Sequence, residues 1–300
     1  METTLSFPGL GIGEFTVNSE AFSLFGAPIA WYAIIICIGM IFAVSYVVFR
    51  ANQIGIDSEK ILDFSLFVIP IGVLGARLYY VIMKPDQFDS LFDVFNLRDG
   101  GLAIYGGIIA GALTVFTICK IKKISFLALA DCVVPGLIMA QSIGRWGNFM
   151  NGEAFGAQTD SFLRMGIHNR ISEYYFKNYD HMVYVHPTFL YESLWNLVGF
   201  IAINFFYKHK KYDGQIFLMI FGWYGLGRMI IEGLRTDSLY LFGTSIRVSQ
   251  ALAGVLFVTC TAFLIYFAFK RPNSPFYKME PAKETADSKK EKTENNDSEE

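Results

Sequence analysis

Seven long apolar stretches, separated by polar connections, constrain the fold of this chain more than any other feature. A helix needs roughly 20 apolar residues to cross about 30 Å of hydrocarbon, and it satisfies its own backbone hydrogen bonds there. Only 17% of the residues are charged, whereas soluble domains average about 25%. We therefore predict an all-α integral membrane protein with seven transmembrane helices. The predicted spans are 28–49, 61–83, 101–119, 125–143, 187–207, 214–233 and 246–269.

The positive charges of the connections predict how these spans are oriented. Short loops rich in Lys and Arg stay in the cytoplasm. Such residues are concentrated after the first, third, fifth and seventh spans. We therefore predict that the N-terminus faces outward and the C-terminus inward (N-out, C-in), with segments 1–27, 84–100 and 145–186 outside. The last of these is too long to be a simple connector, and we expect an extracytoplasmic loop region there.

Composition divides the chain into three predicted parts. Residues 1–27 form an extracytoplasmic N-terminal arm, and residues 28–270 form the seven-helix membrane domain, which includes the outer segment 144–186. Residues 271–300 are rich in Lys, Glu, Asp, Ser and Asn. A segment of this composition cannot bury enough apolar surface to fold. We therefore predict that it is a disordered cytoplasmic tail.

Two classes of ligand are not expected from the composition. The chain has no basic patch with interleaved aromatic residues, so we do not expect it to bind nucleic acid. Its four cysteines form no CxxC motif and have no nearby pair of histidines, so we expect neither a metal site nor a cofactor. We interpret them as packing residues. They are Cys37, Cys119, Cys132 and Cys260.

Charged residues inside the predicted spans are candidates for function. A charge at membrane depth costs several kcal/mol unless it faces protein or water. Span two carries Arg77, and span five carries Glu192. Span six presents Arg228 and Glu232 on one helical stripe, which must face the interior of the helix bundle. An alternative interpretation is an internal ion pair at i and i+4 that only holds helices together.

The segment GRWGNFMNGEAFG, at 144–156, is the most unusual in the chain. We expect it not to be helical, because it contains four glycines and two asparagines. Glycines let the backbone approach a ligand, and the planar fork of Arg145 matches phosphate oxygens. We predict a site for an anionic headgroup at the outer boundary of the membrane, although an Asn-capped structural turn is the alternative. A second glycine-rich segment, 100–111, places Tyr105 before Gly106 and Gly107, and glycines in a span favour close helix packing.

The segment 144–156 resembles the signature segment of the prolipoprotein diacylglyceryl transferases. Further matching pieces follow in the family's order over about residues 28–270. They are PIAWY at 28–32, GARL at 75–78, HPT at 186–188 with Tyr191 and Glu192, and YGLGR at 224–228 with Glu232 and Arg235.

This resemblance implies an enzyme of the bacterial cytoplasmic membrane with its active site toward the extracytoplasmic side. It would transfer the diacylglyceryl group of phosphatidylglycerol to the lipobox cysteine of a prolipoprotein signal peptide and release glycerol phosphate. The phosphate leaves from carbon, so its growing charge needs stabilisation. Guanidinium groups bind phosphate in bidentate fashion, and Arg145 and Arg228 are therefore the first catalytic candidates. The residues that the resemblance implies for phosphatidylglycerol binding are these two with Tyr32, Arg77, Asn148, Glu153, Gly156 and Glu232.

The chain departs from the family pattern at one position, where many members have His-Gly-Gly and this chain has Tyr105-Gly106-Gly107. A Tyr of pKa near 10 is a poorer base near neutral pH than a His near 6.5, although either can hydrogen-bond a phosphate oxygen. We therefore include Tyr105 as a third catalytic candidate that orients the phosphate or the incoming sulfur. Glu153 is the alternative base.

A transporter or channel for an anionic solute is the main rival function. In it, the charged residues of the spans would line an ion path. The sequence has no repeat relating its two halves, and its densest polar segment lies at the outer boundary rather than at mid-membrane. A noncatalytic scaffold is the third possibility, but it gives no reason for two arginines near Asn and Tyr.

Overall fold

A computed structural model describes residues 2–88, 91–95, 100–177, 181–236 and 247–270. The structure is mostly helical. Its α-helices are α1 (Trp31–Gln53), α2 (Ser58–Met83), α3 (Leu91–Phe95), α4 (Ile104–Lys122), α5 (Phe126–Asn151), α6 (Arg170–Phe176), α7 (Thr188–Phe206), α8 (Gln215–Glu232) and α9 (Val248–Lys270). The predicted tail 271–300 lies outside the described residues.

Six helices in the described part of the chain are long and apolar enough to cross a membrane: α1, α2, α4, α5, α9, and α7 with the turn that extends it to His209. This agrees with a multi-pass membrane protein. Helix α8 coincides with the predicted sixth span but is not among the six. The count of seven spans stays a prediction.

Short strands accompany the helices in the segments predicted to lie outside and at the start of the predicted first span, and the fold-class prediction did not include them. They are β1 (Glu2–Phe7), β2 (Ile12–Asn18), β3 (Glu20–Leu24), β4 (Ala27–Ala30), β5 (Met165–His168) and β6 (Val183–Val185). An antiparallel sheet has the order β2-β1-β5-β6, and β3 and β4 form a separate hairpin before α1. Each strand is much shorter than the roughly 20 apolar residues by which a membrane span is recognised in a sequence.

The chain forms two compact units. In one, Val44–Cys132, helices α2 and α4 pack through small residues. A side chain at Gly75 would overlap Ala110 and lie 2.8 Å from the carbonyl oxygen of Gly106. Gly106 and Gly107, which face Gly75 and Gly72 of α2, therefore serve close helix packing, as predicted.

The other unit combines the chain up to Ala43 with the chain from Val133 onward. It contains both sheets and has two apolar clusters. One joins the four-stranded sheet to the start of α7 through Leu5, Phe155, Ile167 and Phe189. The second lies between α5, α7 and α8 and includes Ile138, Ile203 and Ile216.

The prediction that segment 144–156 is not helical is wrong for its first part, since α5 continues to Asn151. Tertiary packing overrides the low helix propensity of glycine here. Trp146 and Phe149 pack on Phe189, with ring centroids 5.5 and 4.8 Å apart. Gly147 leaves the space that the Tyr32 ring fills. The helix ends only at Gly152, whose φ of 60° is in the left-handed region.

Candidate active site

Glu192, on the first turns of α7, is the centre of a buried charged cluster. Its Oε2 lies 2.5 Å from Nη2 of Arg145 at the end of α5, and its Oε1 lies 2.6 Å from Nη1 of Arg228 on α8. Nη1 of Arg235, just past α8, is 3.5 Å from the same Oε1. Glu192 is only 4% exposed. One carboxylate thus brings together the two arginines that the sequence indicated.

A second carboxylate completes the cluster. Oε2 of Glu232 lies 2.7 Å from Nη2 of Arg228, which is the i and i+4 pair expected from the sequence. Arg247 donates to the backbone carbonyl of Glu232. A buried charge is tolerated when it is paired and hydrogen-bonded. Glu192 and Glu232 together hold the guanidinium groups of Arg145, Arg228 and Arg235 in one buried network.

Arg145 does not use all its donors within the cluster. Nη2 pairs with Glu192, and Nη1 donates to Oδ1 of Asn148 at 3.1 Å. Its Nε is buried and has no hydrogen-bond partner among the described residues. A buried donor left without an acceptor costs about 1–3 kcal/mol. The group is suited to an incoming anionic oxygen.

The end of the signature segment connects this cluster to a third carboxylate, that of Glu153. Asn148 donates to Oε1 of Glu153, and Asn151 donates to the same oxygen, both at 3.1 Å. Asn148 therefore accepts from Arg145 on one side and donates to Glu153 on the other. This orients its amide group.

Asn169 holds the turn that places Glu153. Its Nδ2 donates to the carbonyl of Gly152 at 2.8 Å and to Oγ1 of Thr3 at 3.1 Å. Its Oδ1 accepts from the backbone N–H of Ser172, in a capping box at the start of α6. Strand β1, the turn at Gly152 and helix α6 thus meet at one buried amide. Sequence reasoning did not identify this residue, because its partners are remote in the chain.

Two tryptophans hold α7 against α8 below the cluster. Each indole N–H donates to the backbone carbonyl of the other tryptophan, Trp195 to Trp223 at 3.0 Å and Trp223 to Trp195 at 2.9 Å. Their rings stack with centroids 4.3 Å apart. Gly199 and Gly227 leave room for them, since a side chain at either position would overlap the facing indole. This contact sets the register between the helices that carry Glu192 and Arg228.

Gly156 and Tyr32, both predicted to bind substrate, make packing contacts. Gly156 bridges to Arg235 in antiparallel fashion, and a side chain there would lie 2.8 Å from the carbonyl of Leu234. Tyr32 lies against Gly147. Each residue therefore supports the geometry of the segment that contains Arg145.

His186, immediately before α7, lies beside the signature segment. Its carbonyl accepts from the N–H of Gly156 at 2.9 Å, and its Nδ1 is 3.3 Å from the hydroxyl of Tyr191. Burial lowers the pKa of the His186 imidazole below its usual value. Near neutral pH the ring is therefore uncharged and adds no positive charge to the arginines.

Arg77 and Tyr105 belong to the unit Val44–Cys132. Arg77 is buried, and its guanidinium lies 4.9 Å from the centroid of the Phe88 ring. It donates to backbone carbonyls within α3 and shortly before α4. Tyr105, on the first turn of α4, is exposed. Arg77 thus ties together the segment that leads to α4. The acceptors are the carbonyl oxygens of Asp93, Val94, Gly100 and Gly101.

A cavity of about 360 Å³ adjoins the charged cluster. It lies between the end of the signature segment, helix α6 and the residues after α8. Its wall includes Glu153 and Asn148, which the sequence indicated, and residues of α6, which it did not. The lining residues are Asn148, Glu153, Ala154, Phe155, Ile171, Tyr175, Arg235 and Thr236.

The chain is similar to known proteins of one family over most of its length. The family model described as prolipoprotein diacylglyceryl transferase matches residues 19–266. A phosphatidylglycerol–prolipoprotein diacylglyceryl transferase of Enterococcus faecalis is 43% identical over 271 residues, covering 89% of this chain and 96% of its own. The protein of the same name from Clostridioides difficile is 40% identical, covering 86% and 98%. One from Listeria welshimeri is 40% identical, covering 89% and 96%.

Proposed function

Because the chain belongs to the prolipoprotein diacylglyceryl transferase family, we propose that it transfers the diacylglyceryl group of phosphatidylglycerol to the lipobox cysteine of a bacterial prolipoprotein. The cysteine thiol gives up its proton to a base, for which Glu153 is the candidate in this proposal, and the sulfur attacks the glycerol carbon that carries the phosphate. A carbon–sulfur bond forms as the carbon–oxygen bond breaks. The bonding electrons leave with the oxygen, which releases glycerol phosphate.

One observation carries this proposal: Arg145 and Arg228 are bound to opposite oxygens of the same carboxylate, that of Glu192. Their guanidinium groups are therefore neighbours, held in place before any substrate arrives. Preorganised donors stabilise developing charge without reorganisation during the reaction. Together with the free buried Nε of Arg145, they support binding of the lipid phosphate and of the leaving glycerol phosphate.

The same charges assist the nucleophile. A cysteine thiol has a pKa near 8.5, and a nearby cation favours the thiolate. In this proposal, Tyr105 orients the phosphate or the incoming sulfur by hydrogen bonding, and Glu153 is the alternative base. Because the leaving group is a phosphate monoester, no separate acid is required.

The remaining predicted site residues have supporting roles in the proposal. Glu232 holds Arg228, and Asn148 orients Arg145. Tyr32 and Gly156 shape the segment between them through packing. Arg77 ties the segment before α4 through backbone carbonyls, and its contact with the lipid stays a prediction.

The proposed arrangement is seven spans, N-out and C-in, in the bacterial cytoplasmic membrane. Strand pairing supports the crossing count. Strand β1 precedes α1 and pairs with β5, which follows α5, so the number of crossings between them must be even. The candidate spans α1, α2, α4 and α5 provide four.

The same reasoning supports α8 as a span. Gly156 lies before α7, and its bridge partner Arg235 lies after α8. Because α7 is a candidate span, α8 must return the chain to the same side. The arginine cluster then lies on the side of the N-terminal arm 1–27 and the outer segment 144–186. The basic connections support the extracytoplasmic assignment of this side, with the tail 271–300 in the cytoplasm.

The test is direct reconstitution. The purified protein, in nanodiscs containing phosphatidylglycerol labelled in its acyl chains, is incubated with a lipobox peptide. We expect a labelled thioether-linked peptide and stoichiometric glycerol phosphate. A peptide with serine in place of the lipobox cysteine is the matched control and should remain unlabelled. Absence of product from the cysteine peptide would contradict the proposal and is the result expected of a transporter or a scaffold.

A further inference from the structure

Glu153 lies between two residues in the left-handed backbone region. Gly152 has a φ of 60° and Ala154 has a φ of 55°. Glycine adopts this conformation readily, because it has no Cβ. A non-glycine residue is disfavoured there by roughly tenfold in population. The direction of the Glu153 side chain therefore depends on contacts that hold Ala154 in its conformation.

Thr188, the first residue of α7, makes such a contact. Its hydroxyl donates to the backbone carbonyl of Ala154 at 2.5 Å. Thr188 is only 1% exposed, so water does not compete for this hydrogen bond. A conformation that is disfavoured on its own persists when the surrounding structure holds it.

The backbone before Thr188 extends the same contact. The N–H of Gly156 donates to the carbonyl of His186 at 2.9 Å, and the N–H of His186 donates to the carbonyl of Ala157 at 3.0 Å. The segment HPT at 186–188 is thus bound to the end of the signature segment at three points. The proposed mechanism gives this motif no role of its own.

Thr188 and Glu192 lie four residues apart in α7, and therefore on one face of the helix. Glu192 holds the guanidinium groups of Arg145 and Arg228, whereas Thr188 holds the residue that follows Glu153. A single helical turn, which rises about 5.4 Å, thus connects the arginine cluster to the turn that carries the Glu153 carboxylate.

We propose that Thr188 is a positioning residue for Glu153. By holding Ala154 in the left-handed conformation, its hydroxyl keeps the Glu153 carboxylate in place relative to the arginine cluster. The inference rests on the proposed function, in which Glu153 is the candidate base, and it deepens that function. Thr188 acts through the backbone and does not touch the substrate.

Transfer kinetics of the full-length protein in nanodiscs test this role. Thr188→Val keeps the shape of the side chain but removes the donor to Ala154. We expect kcat/KM to fall about tenfold, since the left-handed conformation is then no longer held. Thr188→Ser keeps the hydroxyl and should stay near the wild-type value. Thr117→Val is the matched control, because the Thr117 hydroxyl also donates to a backbone carbonyl, that of Leu113 in α4. It should leave the kinetics unchanged.

A rescue variant separates positioning from a purely structural role. Ala154→Gly in the Thr188→Val background should restore most of the lost kcat/KM, because glycine adopts the left-handed conformation without help. The melting temperature of this double variant should stay below that of wild type, since the Ala154→Gly change does not replace the lost hydrogen bond. A residue that only stabilises the start of α7 would give no such recovery of activity.

Wild-type kinetics for Thr188→Val would overturn the inference, and so would a folded double variant as slow as Thr188→Val alone. If Thr188→Val does not fold, Ala154→Val is decisive. Its branched side chain disfavours the left-handed conformation further, so kcat/KM should fall, and an unchanged rate would overturn the inference. In each of these cases the wild-type protein still produces lipidated peptide, and the proposed function stands. A wild-type protein without transfer would overturn both.

Discussion

Arg145 and Glu192 form an ion pair of 2.5 Å between the end of α5 and the start of α7. The carboxylate also binds Arg228, so neither arginine is positioned alone. Residues that share a buried network respond to mutation in a coupled, non-additive way. Each variant therefore needs two measurements, its transfer activity and its thermal stability.

Arg145→Ala should abolish transfer. Removal of one preorganised donor to a developing oxyanion typically costs a factor of about 10²–10³ in kcat, and Arg145 also carries charge. Arg145→Lys should recover only part of the rate, since a lysine cannot bind in bidentate fashion. Arg164→Ala is the control, as the interactions of Arg164 with other described residues are in its own loop and with the Tyr184 ring. A folded Arg145→Ala protein with wild-type turnover would remove Arg145 from the site.

Glu192→Gln should lower stability as well as activity. It keeps the shape of the side chain but leaves buried guanidinium charge uncompensated, which typically costs about 3–5 kcal/mol. Thermal unfolding in detergent measures this loss. Glu173→Gln, on α6, is the control, because its 3.2 Å pair with His168 is partly exposed and such pairs contribute about 0–1 kcal/mol. Equal melting temperatures for the two variants would show that Glu192 does not balance the cluster.

Asn169→Asp and Ser172→Ala separate two roles of the same capping box. The aspartate keeps the acceptor for Ser172 but loses the N–H groups that bind Gly152 and Thr3, so Glu153 should be misplaced. We expect the KM for phosphatidylglycerol to rise about tenfold. Ser172→Ala breaks the capping box without touching Gly152, and should cost about 1 kcal/mol of stability with an unchanged KM. The same KM for both variants would assign Asn169 a structural role alone.

Tyr105→Phe tests whether the phenol hydroxyl takes part in the reaction. If it orients the phosphate or the sulfur, kcat should fall by about tenfold, the contribution of one hydrogen bond to a charged group. Tyr105→His should retain activity and show a rate that rises with pH through about 6.5, as the imidazole loses its proton and becomes a base. Near-normal turnover of Tyr105→Phe would show that the hydroxyl does no chemistry.

Cysteine labelling tests the proposed orientation. In a variant without the four native cysteines, Tyr174→Cys and Lys211→Cys are treated in intact cells with a membrane-impermeant maleimide. We expect Tyr174→Cys to react and Lys211→Cys to react only after lysis. The opposite labelling pattern would show that the orientation is N-in and C-out. It would not change the number of membrane crossings that strand pairing supports.

The apolar stretches predicted the positions of the membrane-spanning helices, because a span is encoded locally by its length and hydrophobicity. Six of the predicted spans coincide with helices long and apolar enough to cross. The strands of the outer segments were not predicted, since β1 acquires its partner β5 from residues more than 150 positions away. The helical part of segment 144–156 was also missed, because Phe189 and Tyr32 stabilise it from other helices.

The sequence by itself determined that this chain is a helical membrane protein with arginines and glutamates inside its apolar stretches. It also indicated Arg145 and Arg228 as the candidates for phosphate binding, since charge and donor geometry belong to the residue type. Only the tertiary structure decided that both arginines meet on Glu192, and that Asn169 and Thr3 hold the turn before Glu153. The reason is physical: a helical period determines which face a residue occupies, but the partner on that face depends on how distant segments pack.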